Sequence, residues 1–294
     1  MKIAVAICTT GRPEVVARCV ALVRRQRRLA DCIVVCAAAP DDLACLEGAE
    51  GIIPVVSPRK GLTIQRNLAL DTIGSGADII LFMDDDFMLH ETYLERVERL
   101  FSANSGLVAA TGLVVADGIN SDDGYSFEEA EAILAGVGLT PPEGTKNEWI
   151  EGVYGCNFAI RQAAAVQHAV RFDERLPLYG WQEDIDFTTQ LSRFGKVLRT
   201  DALLGVHLGV KGGRQSGLRL GYSQVSNPVY LARKGTMRPA YALKLVSRNV
   251  AANLAGSLGA NRKIDRRGRL KGNLMALGDI VLRRRITPER ILEL

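Results

Sequence analysis

At 294 residues the chain is long for one average domain and short for two, so one large domain, alone or with an appendage, is expected. Apolar residues make up 47% and charged residues 24%, which excludes a disordered chain and supplies a core. No apolar run approaches the roughly 18–20 residues of a membrane span. MKIAVAICTT meets Gly11-Arg12-Pro13 without the form of a signal peptide, so a cytoplasmic chain opening on a strand is predicted. Cys8, Cys19, Cys32, Cys36, Cys45 and Cys156 form no CxxC pair and read as reduced core thiols. Net charge is +4, yet from Leu191 onward 21 Lys and Arg face 5 acids, leaving the remainder clearly acidic. A basic C-terminal third suits phosphate-bearing substrates, an anionic membrane surface or a solvated face; no nucleic-acid module is recognisable, so no nucleic-acid partner is expected.

Ile3 to Cys8 is a continuous apolar run that predicts a buried parallel strand, and Pro13 opens a helix carrying Val15, Val16, Cys19, Leu22 and Val23 on one face. Strands are expected at 33–36, 52–56, 79–83 and 107–115, and helices at 62–73 and 90–101. This alternation argues for an α/β fold with a mostly parallel sheet and ligands beyond the strands' carboxyl ends. Asp117 to Lys146, rich in Gly, Asp and Pro, reads as an insertion with a short helix at 127–134. Ordered structure resumes at Trp149 to Tyr154, a helix is expected at 184–194, and the chain beyond Gly212 reads as helical and basic.

Two acidic clusters could carry chemistry. Asp84, Asp85 and Asp86 end a buried strand, where adjacent carboxylates need water or a cation. If extended, Asp84 and Asp86 share one side and suit a hard divalent ion; the plainer reading is an acidic turn capping the next helix. In Trp181-Gln182-Glu183-Asp184-Ile185-Asp186-Phe187, helical spacing puts Asp184 on the stripe of Phe187, Leu191 and Phe194, with Asp186, Gln190 and Arg193 facing away. An inward carboxylate there suits a general base, its pKa lowered by the helix N-terminus; simple capping is the alternative.

The ordered set CTTGRP, GLTIQRNLAL, LFMDDDF, GCNFAIR and YGWQEDIDF resembles the family 2 nucleotide-sugar glycosyltransferases, from Ile3 to about His207. The resemblance implies an α/β fold of the GT-A type, a three-layer sandwich around a mostly parallel sheet. A catalytic domain spans about 1–210, with a nucleotide-sugar half to about 115 and an acceptor half from 116; a helical basic extension follows at 211–294. It further implies an inverting transfer from a nucleotide-diphosphate sugar to a saccharide or lipid-linked acceptor hydroxyl, in cell-surface polysaccharide or glycolipid assembly. Asp84 and Asp86 then match a DxD motif holding Mn²⁺ or Mg²⁺, with His207 as a further ligand, and Asp184 is the base. Thr9, Thr10, Arg12, Arg66, Asp84 and Asp85 border the nucleotide sugar, and Asn157, Trp181 and Glu183 the acceptor. One departure stands out: many members carry an acid directly after the second strand, where this chain has Cys36-Ala37-Ala38-Ala39-Pro40 and reaches Asp41 and Asp42 only later. His90 is expected on the helix after the acidic cluster and His168 on a surface helix. In Arg214 to Lys234, Tyr222 and Tyr230 with Arg219 and Arg233 could cover the diphosphate or grip the acceptor; an amphipathic packing helix is the plainer reading. Arg262, Lys263, Arg266, Arg267, Arg269, Lys271 and Arg283 to Arg285 are expected to touch a membrane surface peripherally. The rival readings are a nucleotidyltransferase, whose phosphate loop TTGRP only hints at; a dinucleotide-binding oxidoreductase, which lacks its GxGxxG; and a catalytically silent sugar-nucleotide-binding protein.

Overall fold

Strand β1 (Ile3–Thr9) is buried at every position, and its side chains divide by parity. Ile3, Val5 and Ile7 enter one apolar layer, Ala4 and Ala6 the other. A strand buried on both faces must be covered on both, which places β1 in the middle layer of three. The computed structural model describes residues 1–119, 121, 123–138, 145–210, 216–257, 264–283 (without the Arg283 side chain) and 287–294.

After β1 come α1 (Pro13–Val23), β2 (Cys32–Ala37), a 3₁₀ turn (Pro40–Leu46), β3 (Ile52–Val56), α2 (Leu62–Ile73), β4 (Ile79–Asp84) and β5 (Phe87–Leu89). Then follow α3 (Tyr93–Ala103), β6 (Leu107–Asp117), α4 (Phe127–Ala135), β7 (Asn147–Trp149), β8 (Asn157–Arg161), α5 (Gln162–Gln167), α6 (Glu183–Leu191) and β9 (Lys196–His207). Helices α7 (Gly217–Lys234), α8 (Pro239–Ser257) and α9 (Arg266–Arg283) and a last 3₁₀ turn (Pro288–Glu293) complete the described chain.

The strand order is β3-β2-β1-β4-β8-β6-β9-β5, with β7 beside β9. Strands β3, β2, β1 and β4 are parallel, β8 runs against both β4 and β6, β9 follows β6, and β5 and β7 oppose β9. Six of the nine described strands thus point one way and bring Thr9, Asp84, Asp117 and His207 to one edge of the sheet. Helices α1 and α3 cover one face through Val16, Val20, Tyr93 and Val97. Helices α2, α5 and α6 cover the other through Ala69, Leu70, Ala164, Phe187 and Leu191. On that second face Phe172 stacks on Phe187 at 4.0 Å and Phe158 on Phe82 at 5.2 Å.

Several local expectations change. The helix expected from His90 starts at Tyr93, because the His90 ring bonds Thr92 Oγ1 at 2.8 Å ahead of it. His168 lies just past the end of α5 and stacks on Phe194 at 3.5 Å, so Phe194, expected inward, is 45% exposed. Asp186, expected outward, is fully buried, bonded to Lys234 Nζ at 2.7 Å and Thr236 Oγ1 at 2.6 Å. The segment 217–294 thereby reaches the back of α6, and its own helices are joined by buried Asn253, which bonds Gln224 and Asn273 at 2.8 Å each. All six cysteines are free; Cys45 is exposed, contrary to its core assignment. No described helix is long and apolar enough to cross a membrane. Arg214, Arg262, Lys263, Arg284 and Arg285 lie outside the described residues.

Candidate active site

On β4, Ile79, Leu81 and Met83 face the α1–α3 layer while Ile80 and Phe82 face α2. The next position in that alternation, Asp84, therefore emerges on the α2 side. There Arg66, 2% exposed, donates from Nη2 to Asp84 Oδ1 at 3.3 Å and to the Gly155 carbonyl at 2.8 Å, and from Nη1 to Glu183 Oε1 at 2.5 Å. Three bonds offset the desolvation of a buried guanidinium, and they tie β4 to the start of α6.

Beyond Asp84 the chain turns instead of staying extended. Asp85 is fully buried, accepting from Thr9 Oγ1 at 2.6 Å and pairing with Arg12. Asp86 accepts from the Val210 amide at 2.8 Å and from Arg12 Nη1 at 3.3 Å, and lies 3.5 Å from His207 Nε2. Asp84, Asp86 and His207 offer ligand atoms within 4.8 Å of one another. Two carboxylates and an imidazole fit a divalent ion, and Mn²⁺ accepts both donor types.

Burial raises Asp84, despite Arg66, and lifts Asp85 to about 7. Asp86 goes the other way: burial opposes its charge, but His207 holds it below the usual carboxylate range. Burial likewise works against His207, yet Asp117 and Asp86 push it up to about 10. A metal would have to displace that proton from Nε2.

Asp117 is the residue that local reading missed. Its Oδ1 holds His207 Nδ1 at 2.8 Å and its Oδ2 accepts from Tyr154 OH at 2.8 Å, so Nε2 is aimed at Asp86. A signal was present, since β6, like β4, is an apolar run that ends in an aspartate. Asp117→Ala is expected to weaken Mn²⁺ binding about 10- to 100-fold, measured by electron paramagnetic resonance titration; unaltered affinity would show that His207 needs no such brace.

The second carboxylate group opens α6. Asp184 Oδ1 accepts from the Ile185 amide at 2.8 Å, and a Cβ at Gly155 would lie 2.9 Å from Asp184 Oδ2, so glycine lets the neighbouring backbone approach. The helix N-terminus was expected to lower Asp184. Burial instead raises it, and the Ile185 and Gly155 amides and Arg66 offset this only in part. Glu183 is buried with its carboxylate on Arg66.

Asp84, His207, Arg66, Glu183, Asp184 and Trp181 line one cleft of about 500 Å³. Arg12 and Asp86 adjoin it through the contacts above. Thr9 and Asp85 are buried together, with Thr10 half-buried in the adjoining loop. Asn157, expected at the acceptor, is instead fully buried: its Oδ1 accepts from the Gly112 amide at 2.8 Å and Tyr93 OH at 2.9 Å, so it braces Gly112 in the cleft wall. The acid lacking directly after β2 has a counterpart in buried Asp42, which accepts from the Gly11 amide at 2.5 Å and the Ala39 amide at 2.9 Å. Folding thus brings it against the first loop, where it holds backbone.

Such a sheet, with a carboxylate-lined cleft over its carboxyl edge, is the GT-A architecture of glycosyltransferases. Residues 4–168 match the family model described as "Glycosyl transferase family 2". The chain belongs to glycosyltransferase family 2. Its fold is similar to that of S. aureus TarS residues 1–349, with a TM-score of 0.58 and 15% identity over 99% of this chain and 82% of that one. A second S. aureus TarS structure aligns at 0.54 and 14% identity, over 88% of this chain and 44% of that one. GalNAc-T7, solved with UDP, GalNAc and Mn²⁺, aligns at 0.56 and 13% identity over 80% of this chain and 51% of that one. No curated protein matches the chain.

Proposed function

We propose that this chain is an inverting glycosyltransferase that moves a sugar from a nucleotide-diphosphate donor to an acceptor hydroxyl, with Asp184 as the base. One observation carries this reading: Asp84 and Asp184, a hundred residues apart, open into the same cleft, and Arg66 binds both Asp84 and Glu183, the neighbour of Asp184. A divalent ion, Mn²⁺ or Mg²⁺, held by Asp84, Asp86 and His207 would stabilise the negative charge of the departing diphosphate. Thr9, Thr10, Arg12 and Arg66 border the nucleotide side, with Asp85 setting Thr9 and Arg12 from below. Trp181 flanks the acceptor, while Glu183 and Asn157 shape that side through the bonds they make. Inversion by one in-line displacement needs a single base and no enzyme nucleophile, and Asp184, unlike Glu183, has no direct ion pair among the described residues. Exposed Lys244, Arg248, Arg267 and Lys271 on α8 and α9 support peripheral contact with an anionic membrane face, on the cytoplasmic side, during cell-surface polysaccharide or glycolipid assembly.

The test is a thermal-shift series of nucleoside diphosphates with and without Mn²⁺. At least one should stabilise the protein only when metal is present, by about 2.7 kcal/mol at a hundred times its Kd. Asp86→Ala should abolish the metal dependence; its survival would mean that the ligand set is wrong.

A further inference from the structure

The backbone that presents Asp184 is held in an unfavourable shape. Gln182, which precedes α6, has φ +77°, a left-handed conformation that suits glycine, and its side chain makes no capping bond among the described residues. Leu178 at +59° and Gly180 at +66° precede it in the same loop. Such a backbone persists only where its surroundings over-determine it. Arg66 ties Glu183 from the α2 side. Two further ties come from α7 and the turn that ends it.

On the N-terminal side of Gln182, Asn227 Nδ2 donates to the Trp181 carbonyl at 2.9 Å. On the C-terminal side, Lys234 Nζ donates to Asp186 Oδ2 at 2.7 Å and Thr236 Oγ1 to Asp186 Oδ1 at 2.6 Å. Gln182, Glu183 and Asp184 thus lie between two fixed points, both of them buried: Asn227 is 1% exposed and Asp186 0%. Lys234 is itself held, because Asp173 Oδ2 accepts from it and from Tyr230 OH at 2.7 Å each. Leu231 already joins α7 to α6 through Leu176 and Ile185, so adhesion alone needs neither a buried amide nor an ion pair. Asn227, Lys234 and Thr236 all lie beyond the segment that resembles the family, which ends near His207. The same C-terminal segment reaches the cleft wall through Tyr241 of α8.

We propose that Asn227 and Lys234 are positioning residues: they clamp the loop on both sides of Glu183-Asp184 and so aim the base, which makes α7 part of the catalytic unit. This rests on the transfer reading above, and the experiment separates the two. Nucleotide release is followed with Mn²⁺ from a panel of UDP-, GDP- and dTDP-sugars. Asn227→Leu, which leaves every ion pair in place, should lower kcat about 10- to 100-fold, with the donor KM and the metal-dependent nucleotide shift unchanged. Lys234→Met should do the same, and Lys234→Arg should retain most of the turnover. Gln182→Gly should raise kcat more in the Asn227→Leu background than in the wild type, because glycine adopts the left-handed backbone without the clamp; lost packing would show no such coupling. In protein labelled with fluorotryptophan, the Trp181 line should broaden or split in Asn227→Leu while the Trp149 line stays, which reads the loop without turnover. A kcat within threefold of wild type in Asn227→Leu, an unmoved Trp181 line, or equal gains from Gln182→Gly in both backgrounds refutes the clamp. Loss of the nucleotide shift in Asn227→Leu refutes it too, since α7 would then be general support. A wild type that releases nucleotide from no donor overturns the transfer reading itself, and the Trp181 line still tests the clamp.

Discussion

Asp184→Asn is expected to lower sugar transfer by about 10²- to 10⁴-fold while leaving the metal-dependent nucleotide shift unchanged. The amide keeps an acceptor for the Ile185 N–H and preserves the volume beside Gly155, so the fold should persist. What disappears is the negative oxygen that takes the hydroxyl proton. Burial raises the Asp184 pKa above its ordinary value of 3.8, which makes the ionised form a stronger base. Ionisation is gained as pH rises through that raised value, so the acid limb of kcat should lie above 3.8. Glu183 is adjacent, and the limb belongs to the pair. Nucleotide release from a panel of nucleotide sugars, followed against pH, checks both points. A variant retaining a tenth of wild-type turnover would remove Asp184 from the base role.

Arg66→Met should lower stability by about 3–5 kcal/mol, or Tm by roughly 6–10 °C. The side chain is 2% exposed, and its loss leaves Glu183 and Asp84 without their shared cation. The pH dependence has a definite sign. Burial already raises both carboxyls, and removing the guanidinium raises them further above their unfolded values. The penalty should therefore be smallest where both are protonated and grow as pH rises through their folded pKa values. Calorimetry of both proteins across that range measures it; a penalty that shrinks with rising pH would contradict the assignment. Arg66→Lys should not restore wild-type stability, because one ammonium cannot reproduce the fork that meets Glu183, Asp84 and the Gly155 carbonyl.

Much of the fold follows from local pattern. The apolar run of β1, the Leu62–Ile73 helix and the end of β4 at an acidic cluster each arise from residues close in sequence. Parity along β4 even selects the face from which Asp84 emerges. Strands β5 and β8 and helix α5, at three, five and six residues, are too short for a period to show.

Partnership was another matter. Helical spacing turned Asp186 outward, because a periodicity reports which neighbours on its own helix are apolar and carries no information about Lys234 and Thr236. The same holds for Asp117 on His207, 90 residues apart, and for Arg66 on Glu183, 117 apart. The sequence by itself determined the element types, the layered α/β class and the identity of the two acidic clusters, since these depend on side-chain period and composition over a few turns. Only the tertiary structure decided which buried charges neutralise one another and that Tyr241 joins the cleft wall. Those pairings depend on strand order and on the path of distant segments, and no local spacing encodes either.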